Sequence, residues 1–180
     1  GWGAEPVIAP ALIMLAGTMI WTGEFDEGER WLQRTRQALE TDTGPDITLL
    51  LHQTAGLLHA GRGRNHEALE EFDAAEYLGS QLADSQALAT RTTRWLLATQ
   101  ARLGMTGHAR ALLAALDDER ASSGEIRNTL AVICLAEGNP AAALAAVADV
   151  LDGTAPVLGY VTVMEAHLLA GLAHRRLGDQ

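Results

Sequence analysis

The sequence has 180 residues, a formal net charge of −10 and one cysteine, so it suits a single domain and excludes a disulfide framework or a cysteine-based zinc site. Its 13 basic residues, all arginine, are outnumbered by 23 acidic ones, and because an acidic surface repels phosphate we expect no direct contact with nucleic acid. Only 4% of the residues are aromatic, and the abundance of alanine and leucine favours helices packed on helices over a β-sandwich or barrel.

Apolar residues recur with helical spacing along the whole chain, and no segment alternates as a β-strand does. The uncharged run at 6–23 contains Pro10, Gly17 and Thr18, and it fits the repeat described next, so we interpret it as a helix of the repeat and not as a membrane span. In chain order the pattern predicts nine helices, at 6–22, 26–40, 46–61, 65–79, 84–103, 106–119, 124–137, 140–151 and 158–177.

A glycine recurs after every second predicted helix, beginning with the first. These glycines are Gly23, Gly63, Gly104, Gly138 and Gly178, at spacings of 40, 41, 34 and 40 residues. Glycine at the end of a helix favours a left-handed backbone, which predicts a tight turn into the following helix. We expect the next helix to be capped by Asp26 (with Glu29 as a capping box), Asn65, Thr106 or Asn139, the last followed by Pro140.

Small and bulky residues keep fixed distances from these glycines. Five residues after the first four lie Gly28, Ala68, Ala109 and Ala143, and four residues further lie Leu32, Phe72, Leu113 and Val147. Small residues let two antiparallel helices approach closely, and the bulky residue fills the space beside them. The prediction is an all-α fold of one domain, an α-solenoid of antiparallel helix hairpins in about four and a half units. The units are 6–44, 45–82, 83–121, 122–155 and a truncated 156–180, within a piece of a longer protein.

Three stretches carry a resemblance to a known family. They are Leu58–Gly63 running into Glu67–Leu69, then Gly124–Arg127, then Leu135–Leu144 running on to Val150–Gly153. The positions around the turn glycines resemble tetratricopeptide repeats (TPRs), although spacings of 40 and 41 exceed the usual length of about 34. Together the stretches resemble the helical-repeat region of large LuxR-family transcriptional regulators with a MalT-like layout, abundant in actinobacteria.

The resemblance implies a cytoplasmic signal-transduction protein in which this chain is the middle part. Such regulators have an ATP-binding switch domain before the repeats and a DNA-binding helix-turn-helix domain after them, so ATP is expected only in the missing N-terminal domain. A chain without lysine cannot form a phosphate-binding loop, and it contains no basic recognition helix. The expected function is to bind a small-molecule inducer or a partner protein. The alternative is a stand-alone TPR-type scaffold that binds peptides or partner proteins.

We suppose that the first helix of each unit lines a concave face. The residues on its solvent side are then those that precede the turn glycine by 13, 10, 6, 3 and 2 positions. From these positions we select the polar residues Gln53, Arg91, Arg94, Arg102, Glu125, Asn128, Arg175 and Arg176, beside Trp21, Leu57, Val132 and Leu172. Arginine and amide groups over an apolar floor suit an anionic or polyhydroxyl ligand or a partner helix, and we favour the cluster Arg91, Arg94 and Asn128. The alternative is a solvated groove whose arginines pair with nearby acids.

Other side chains give no sign of a metal site or of catalysis. His52 and His59, like His167 and His174, are seven residues apart, about 10.5 Å along a helix, which is too far for one zinc ion. Cys134 lies among apolar residues and is expected to be a buried thiol. Glu70-Glu71 is interpreted as solvated charge. Packing roles are expected for Trp31, Leu32, Phe72, Tyr77 and Trp95.

The two outermost predicted helices, 6–22 and 158–177, are both very apolar. A solenoid whose terminal repeats lack neighbours exposes a hydrophobic face at each end. We therefore expect that the chain can form homo-oligomers through its exposed ends. No membrane association is expected.

Overall fold

The computed structural model describes residues 5–39, 44–82 and 86–178, with side chains from residue 9 in the first range and from residue 90 in the third. This part of the chain is all-helical and contains no β-strand, as predicted. It forms ten helices: α1 Glu5–Trp21, α2 Phe25–Ala38, α3 Pro45–Gly61, α4 Asn65–Gly79, α5 Gln86–Arg102, α6 Thr106–Ala114, α7 Asp118–Ser122, α8 Gly124–Ala136, α9 Pro140–Leu151 and α10 Tyr160–Leu177.

The prediction of nine helices is wrong at one place, because the predicted helix 106–119 is divided into α6 and α7. Asp117 adopts an extended backbone (φ −66°, ψ 163°), which ends the helical path before it. Its carboxylate then accepts a hydrogen bond of 2.8 Å from the backbone N–H of Arg120, so Asp117 caps the new helix. An aspartate that caps a helix start is favourable at that position, whereas in a helix interior its side chain competes with the backbone.

The chain divides into two compact units, residues 1–92 and 93–180, and the boundary falls within α5. In the first unit α1 pairs with α2 and α3 pairs with α4, while α3 also packs against α1 and α2. Its core is formed by Ala16, Ile20, Leu32, Ala55 and Leu58. Antiparallel hairpins that share one core are the local structure that the glycine repeat predicts.

In the second unit α8 pairs with α9, and α10 packs on both. A core of small and medium side chains joins the three helices, including Ala131, Cys134, Val147, Ala166 and Leu169. A second cluster joins the end of α5 to α6 and α8 through Leu97, Ala101, Ala109, Ile126 and Ile133. The thiol of Cys134 is buried, as expected from its apolar neighbours. The stacking of all the hairpins into one solenoid stays a prediction.

All five repeat glycines adopt the left-handed backbone that the sequence predicts, with φ between 74° and 87°. At the first four, the residue after the glycine donates its N–H to the carbonyl five positions back, for example Glu24 to Met19 at 2.8 Å and Asn139 to Cys134 at 2.9 Å. This pattern is the Schellman motif, which satisfies carbonyl groups at the end of the first helix. The same residue is also the N-cap of the second helix.

The dual role of that residue explains why the predicted caps are wrong at three of four turns. At every turn the N-cap is the residue directly after the glycine. At the three turns with wrong predictions this residue is Glu24, Arg64 or Met105, and none of their side chains makes a capping hydrogen bond. The predicted caps Asp26, Asn65 and Thr106 lie one or two residues after the observed N-caps and already belong to the helices. Only Asn139 directly follows its glycine, and its side chain accepts a hydrogen bond of 3.1 Å from the N–H of Ala142.

The bulky Phe72 of α4 meets a small residue of α3, Gly56. A Cβ atom built on Gly56 would lie 2.4 Å from Cε1 of Phe72, whose ring is only 1% exposed, so the two helices are in contact at this point. Leu32 is equally buried, but Tyr77 is 67% exposed and its predicted packing role is wrong. Tyr77 lies between the buried Ala75 and Gly79 but on the opposite, solvent-facing side of α4.

We expect Gly56→Ala to lower the free energy of unfolding by about 1–3 kcal/mol, because the added methyl group must displace a buried ring. Gly171→Ala is the matched control. Gly171 lies seven residues before its turn glycine, as Gly56 does, but no atom lies within 4 Å of its added Cβ, so alanine should stabilise α10 by up to about 1 kcal/mol. Urea unfolding of both variants checks this, and equal effects would contradict it.

Candidate functional site

Two of the predicted site residues meet in the first unit, but they are not arranged as an open site. Gln53 is 1% exposed, and its Nε2 donates to the hydroxyl oxygen of Thr92 at 2.6 Å. The exposed Arg91 donates from Nη2 to Oε1 of Gln53 at 3.5 Å. The prediction that Gln53 lies on a solvent side is wrong, because its amide ties α3 to the beginning of α5.

In the second unit, Arg94 and Asn128 converge on Glu165 of α10. Nη2 of Arg94 donates to both carboxylate oxygens, at 3.0 and 2.8 Å, and only 14% of the arginine side chain is exposed. Nδ2 of Asn128 donates to Oε2 of Glu165 at 3.1 Å and to the backbone carbonyl of Thr162 at 2.8 Å. The cluster is therefore held by an acid, as the alternative interpretation of the groove proposed.

Glu125 extends this network to the beginning of α10. Glu125 is only 2% exposed. Its Oε1 accepts a hydrogen bond from the backbone N–H of Leu158 at 2.8 Å and another from the hydroxyl of Thr162 at 2.6 Å. Oε2 of Glu125 and Oδ1 of Asn128 are buried and have no hydrogen-bond partner among the described residues. Glu125 and Asn128 are thus buried, contrary to their predicted solvent-side placement.

The remaining predicted residues are apart from this network. Arg102 and Arg175 are exposed on the last turns of α5 and α10, and Arg176 donates to the backbone carbonyl of Leu135. Glu165 was missed by the sequence analysis, although it lies 13 residues before Gly178, the same offset that selects Arg91 and Glu125. Applying that offset to all five glycines would have found it.

The carboxylate of Glu71 links three helices of the first unit. The prediction that it is solvated charge is therefore wrong. Its Oε2 lies 2.7 Å from Nδ1 of His52 on α3, and its Oε1 lies 3.7 Å from Nη2 of Arg36 on α2. Partial burial opposes ionisation of Glu71, but the hydrogen bond to His52 and the charges of His52 and Arg36 outweigh it and lower the pKa of the carboxyl. His52 therefore serves packing and hydrogen bonding in this structure.

A cavity of about 290 Å³ lies between α6, α7 and α8. Its lining consists of Leu113, Asp118, Ala121, Ser122, Ile126, Arg127 and Leu130. Arg127 is half-buried: its Nη2 is 3.6 Å from Asp149, while its buried Nε has no hydrogen-bond partner among the described residues. Sequence reasoning missed this site because the cavity depends on the break between α6 and α7, which the helical periodicity does not reveal.

Comparison with protein-family models, with curated proteins and with solved structures finds no match to this chain. Within the described ranges, no helix is both long enough and apolar enough to cross a bilayer. The geometry of the two units is therefore the basis for the functional proposal.

The lowered pKa of Glu71 predicts how stability depends on pH. A carboxyl whose folded pKa lies below its ordinary value of 4.5 stabilises the fold above that value, and the contribution is lost as the pH falls through the folded pKa. Glu71→Gln should cost up to about 1 kcal/mol at neutral pH and should reduce the loss of stability between about pH 6 and about pH 3. Urea unfolding at several pH values measures both. Glu70→Gln, at the exposed neighbour, is the control, and an identical pH profile for the two variants would contradict the assignment.

Asn128→Ala should lower the free energy of unfolding by about 1–3 kcal/mol, because a carboxylate oxygen and a buried backbone carbonyl both lose a donor. Arg102→Ala, which truncates an exposed side chain, should change it by less than about 0.5 kcal/mol. Chemical denaturation of both variants provides the measurement. A stability of Asn128→Ala equal to that of the unaltered chain would show that the network does not hold α8 to α10.

Proposed function

We propose that this chain is the helical-repeat sensor and interaction segment of a LuxR-family transcriptional regulator. In this proposal a small inducer binds in the cavity of the second unit, and the signal passes to nucleotide-switch and DNA-binding domains outside the chain. The segment itself catalyses no reaction and binds no cofactor, and the regulator acts in the cytoplasm. The resemblance of the repeat stretches and the hairpins built on left-handed glycines support this assignment.

The observation that carries the proposal is the position of α8 between the cavity and α10. Ile126 and Leu130 of α8 line the cavity, whereas Glu125 and Asn128 of the same helix hold the beginning of α10 through buried hydrogen bonds. A ligand that shifts α8 must therefore strain or rearrange the bonds to α10. Close-packed interiors transmit such displacements and do not absorb them.

The cavity lining indicates the chemistry of the inducer. Leu113, Ile126 and Leu130 form an apolar surface, and the lining also contains Asp118 and Arg127, whose guanidinium lies 3.6 Å from Asp149 and can pair with an anionic oxygen. The volume of about 290 Å³ is at the lower end for ligand sites, which suits a metabolite. We therefore infer a small amphipathic acid, with its carboxylate or phosphate on Arg127 and its apolar part on the leucine and isoleucine side chains.

Signal transfer in this proposal is a shift between two packings of the second unit. A ligand changes such an equilibrium only by the difference in its affinity for the two states, and a tenfold shift requires about 1.4 kcal/mol. That amount is comparable to one or two buried hydrogen bonds. Rearranging the Asn128 and Glu165 contacts would therefore be enough to switch the unit.

The alternative function is a stand-alone TPR-type scaffold that binds peptides or partner proteins. Large apolar side chains exposed on one helix, such as Met164 and Leu168 of α10, favour it because exposed apolar surface marks interaction sites. The full gene discriminates the two functions, since only the regulator has a phosphate-loop motif upstream and a basic helix-turn-helix downstream.

A thermal-shift screen tests the inducer site. Short- and medium-chain carboxylic acids and phosphate monoesters should raise Tm by about 2 °C or more, whereas the matching amides and amines should not. Arg127→Gln should abolish the shift by removing the charge, and Ala121→Phe should abolish it by filling the cavity. Arg102→Gln, which removes an exposed charge elsewhere, should respond as the unaltered chain does.

Circular dichroism shows first that each variant is folded. The proposal of an acidic inducer is wrong if no acid or phosphate stabilises the unaltered chain, or if Arg127→Gln and Ala121→Phe keep the full response.

A further inference from the structure

We propose that the inducer bound in the cavity of the second unit is a zwitterion, an α-amino acid with an apolar side chain. The inference rests on the proposed function, because it narrows the acidic inducer to one chemical class. The residue that carries it is Asp118, a carboxylate in the cavity lining that a plain acid would leave unpaired. The ammonium group of the ligand binds Asp118, its carboxylate binds Arg127, and its side chain packs on the apolar part of the lining.

One carboxylate and one guanidinium line this cavity. Asp118 begins α7, and Arg127 lies near the beginning of α8. In the part of the chain that the structure describes, the carboxylate of Asp118 makes no hydrogen bond or ion pair, with Arg127 or with any other residue. The contact of Arg127 with Asp149 is long, at 3.6 Å from Nη2. Two opposite charges on one cavity wall that do not pair with each other leave room for a ligand that carries both charges.

A ligand with a negative charge alone is poorly suited to this cavity. The exposed acids Asp117 and Glu119 flank Asp118 in the chain. Asp149 stands beside Arg127, and the chain as a whole has a net charge of −10. Like charges repel at short range, and the net charge repels anions from the surface. An ammonium group cancels the net charge of the ligand and turns the repulsion from Asp118 into attraction.

The beginning of α7 holds Asp118 in position. The carboxylate of Asp117 accepts a hydrogen bond of 2.8 Å from the backbone N–H of Arg120, and its backbone carbonyl accepts one of 2.9 Å from the N–H of Ala121. The guanidinium of Arg120 donates to the hydroxyl oxygen of Thr93 on α5 at 2.5 Å. A binding group on a backbone that is already fixed loses little conformational freedom when the ligand arrives, which favours a small ligand.

Ser122 supplies a second acceptor for the ammonium group. It also lines the cavity, and its hydroxyl donates to the backbone carbonyl of Glu119 at 2.8 Å. A hydroxyl that donates one hydrogen bond keeps lone pairs with which it can accept another. Asp118 and Ser122 are four residues apart on α7, so their side chains are neighbours on one face of the helix. An ammonium group has several N–H donors and can bind both oxygens at once.

The apolar part of the lining suits an aliphatic side chain. Ile126 and Leu130 are also four residues apart, on α8, and Leu113 of α6 lies across from them. All three are branched aliphatic side chains, which offer dispersion contacts and no hydrogen-bonding group. The volume of about 290 Å³ is at the lower end for ligand sites, so it suits a single amino acid better than a peptide.

Three different attachment points make such binding stereospecific. The ammonium group, the carboxylate and the side chain of an amino acid are three different substituents of one chiral carbon. The cavity would hold them at Asp118, at Arg127 and at the aliphatic lining, and the mirror-image ligand can reach only two of these at once. A difference in affinity between enantiomers therefore reports the three-point contact, which a general effect of charge or hydrophobicity does not produce.

Isothermal titration calorimetry at low salt tests the ligand class. The probes are the two enantiomers of leucine, and 4-methylpentanoate, which is leucine without its ammonium group. One enantiomer should bind with a Kd about three- to tenfold lower than that of 4-methylpentanoate, because an exposed charge pair and a hydrogen bond add an affinity of that order. The other enantiomer should bind more weakly than the first. Salt at 1 M should reduce the advantage of leucine.

Asp118→Asn tests the residue that carries the inference. This variant should bind leucine and 4-methylpentanoate with nearly equal affinity, and it should bind 4-methylpentanoate more tightly than the unaltered chain does because a repelling charge is gone. Glu119→Gln is the matched control, since it removes the adjacent charge of α7 from an exposed residue outside the lining. The control should keep the full preference for leucine. Circular dichroism confirms that each variant is folded.

Three results would overturn the inference: a leucine affinity no higher than that of 4-methylpentanoate, equal affinities of the two enantiomers, or the same change of preference in Asp118→Asn and Glu119→Gln. Under each of them, binding of 4-methylpentanoate that disappears in Arg127→Gln would still support the acidic inducer of the proposed function. If neither leucine nor 4-methylpentanoate binds, the proposed inducer site is wrong and the inference fails with it.

Discussion

The left-handed glycine turn is the constraint on which the rest of this structure depends. One glycine ends a helix, the next residue closes the Schellman hydrogen bond, and that same residue begins the following helix. The second helix therefore begins directly after the turn and runs antiparallel to the first. The small residues at fixed distances from the glycine then lie at the contact between the two helices. Close contacts such as Gly56 against Phe72, and the shared cores of the units, follow from this geometry.

The sequence was sufficient to predict the helical class and the hairpins, because glycine spacing and apolar periodicity are local signals. It was not sufficient for the break at Asp117, where one side-chain hydrogen bond outweighs a continuous helical pattern. It also placed three caps too far along the chain, since the closure of the turn, and not the side-chain preference, decides which residue is the N-cap. Tertiary and backbone geometry override propensity at these places.

The candidate site could be predicted only in part, for a different reason. The offsets selected Arg94 and Asn128 correctly as neighbours, but a pattern on one helix does not show which acid approaches from another. Glu165 neutralises the arginine and converts the expected open cluster into a buried connection between α8 and α10. The cavity beside Arg127 is formed by three helices together, so no single stretch of sequence contains its signal.

The turn within each hairpin also restricts how such a chain can change its length. Because the residue after the glycine serves both helices, an inserted residue would break the closure and rotate one helix against the other. The segments between hairpins carry no such requirement, and exposed connections accommodate insertions at low entropic cost. Length variation should therefore accumulate away from the turns. The unequal glycine spacings of 34 to 41 residues arise there, in the lengths of the helices and of the connections between hairpins, while the distances around each glycine stay fixed.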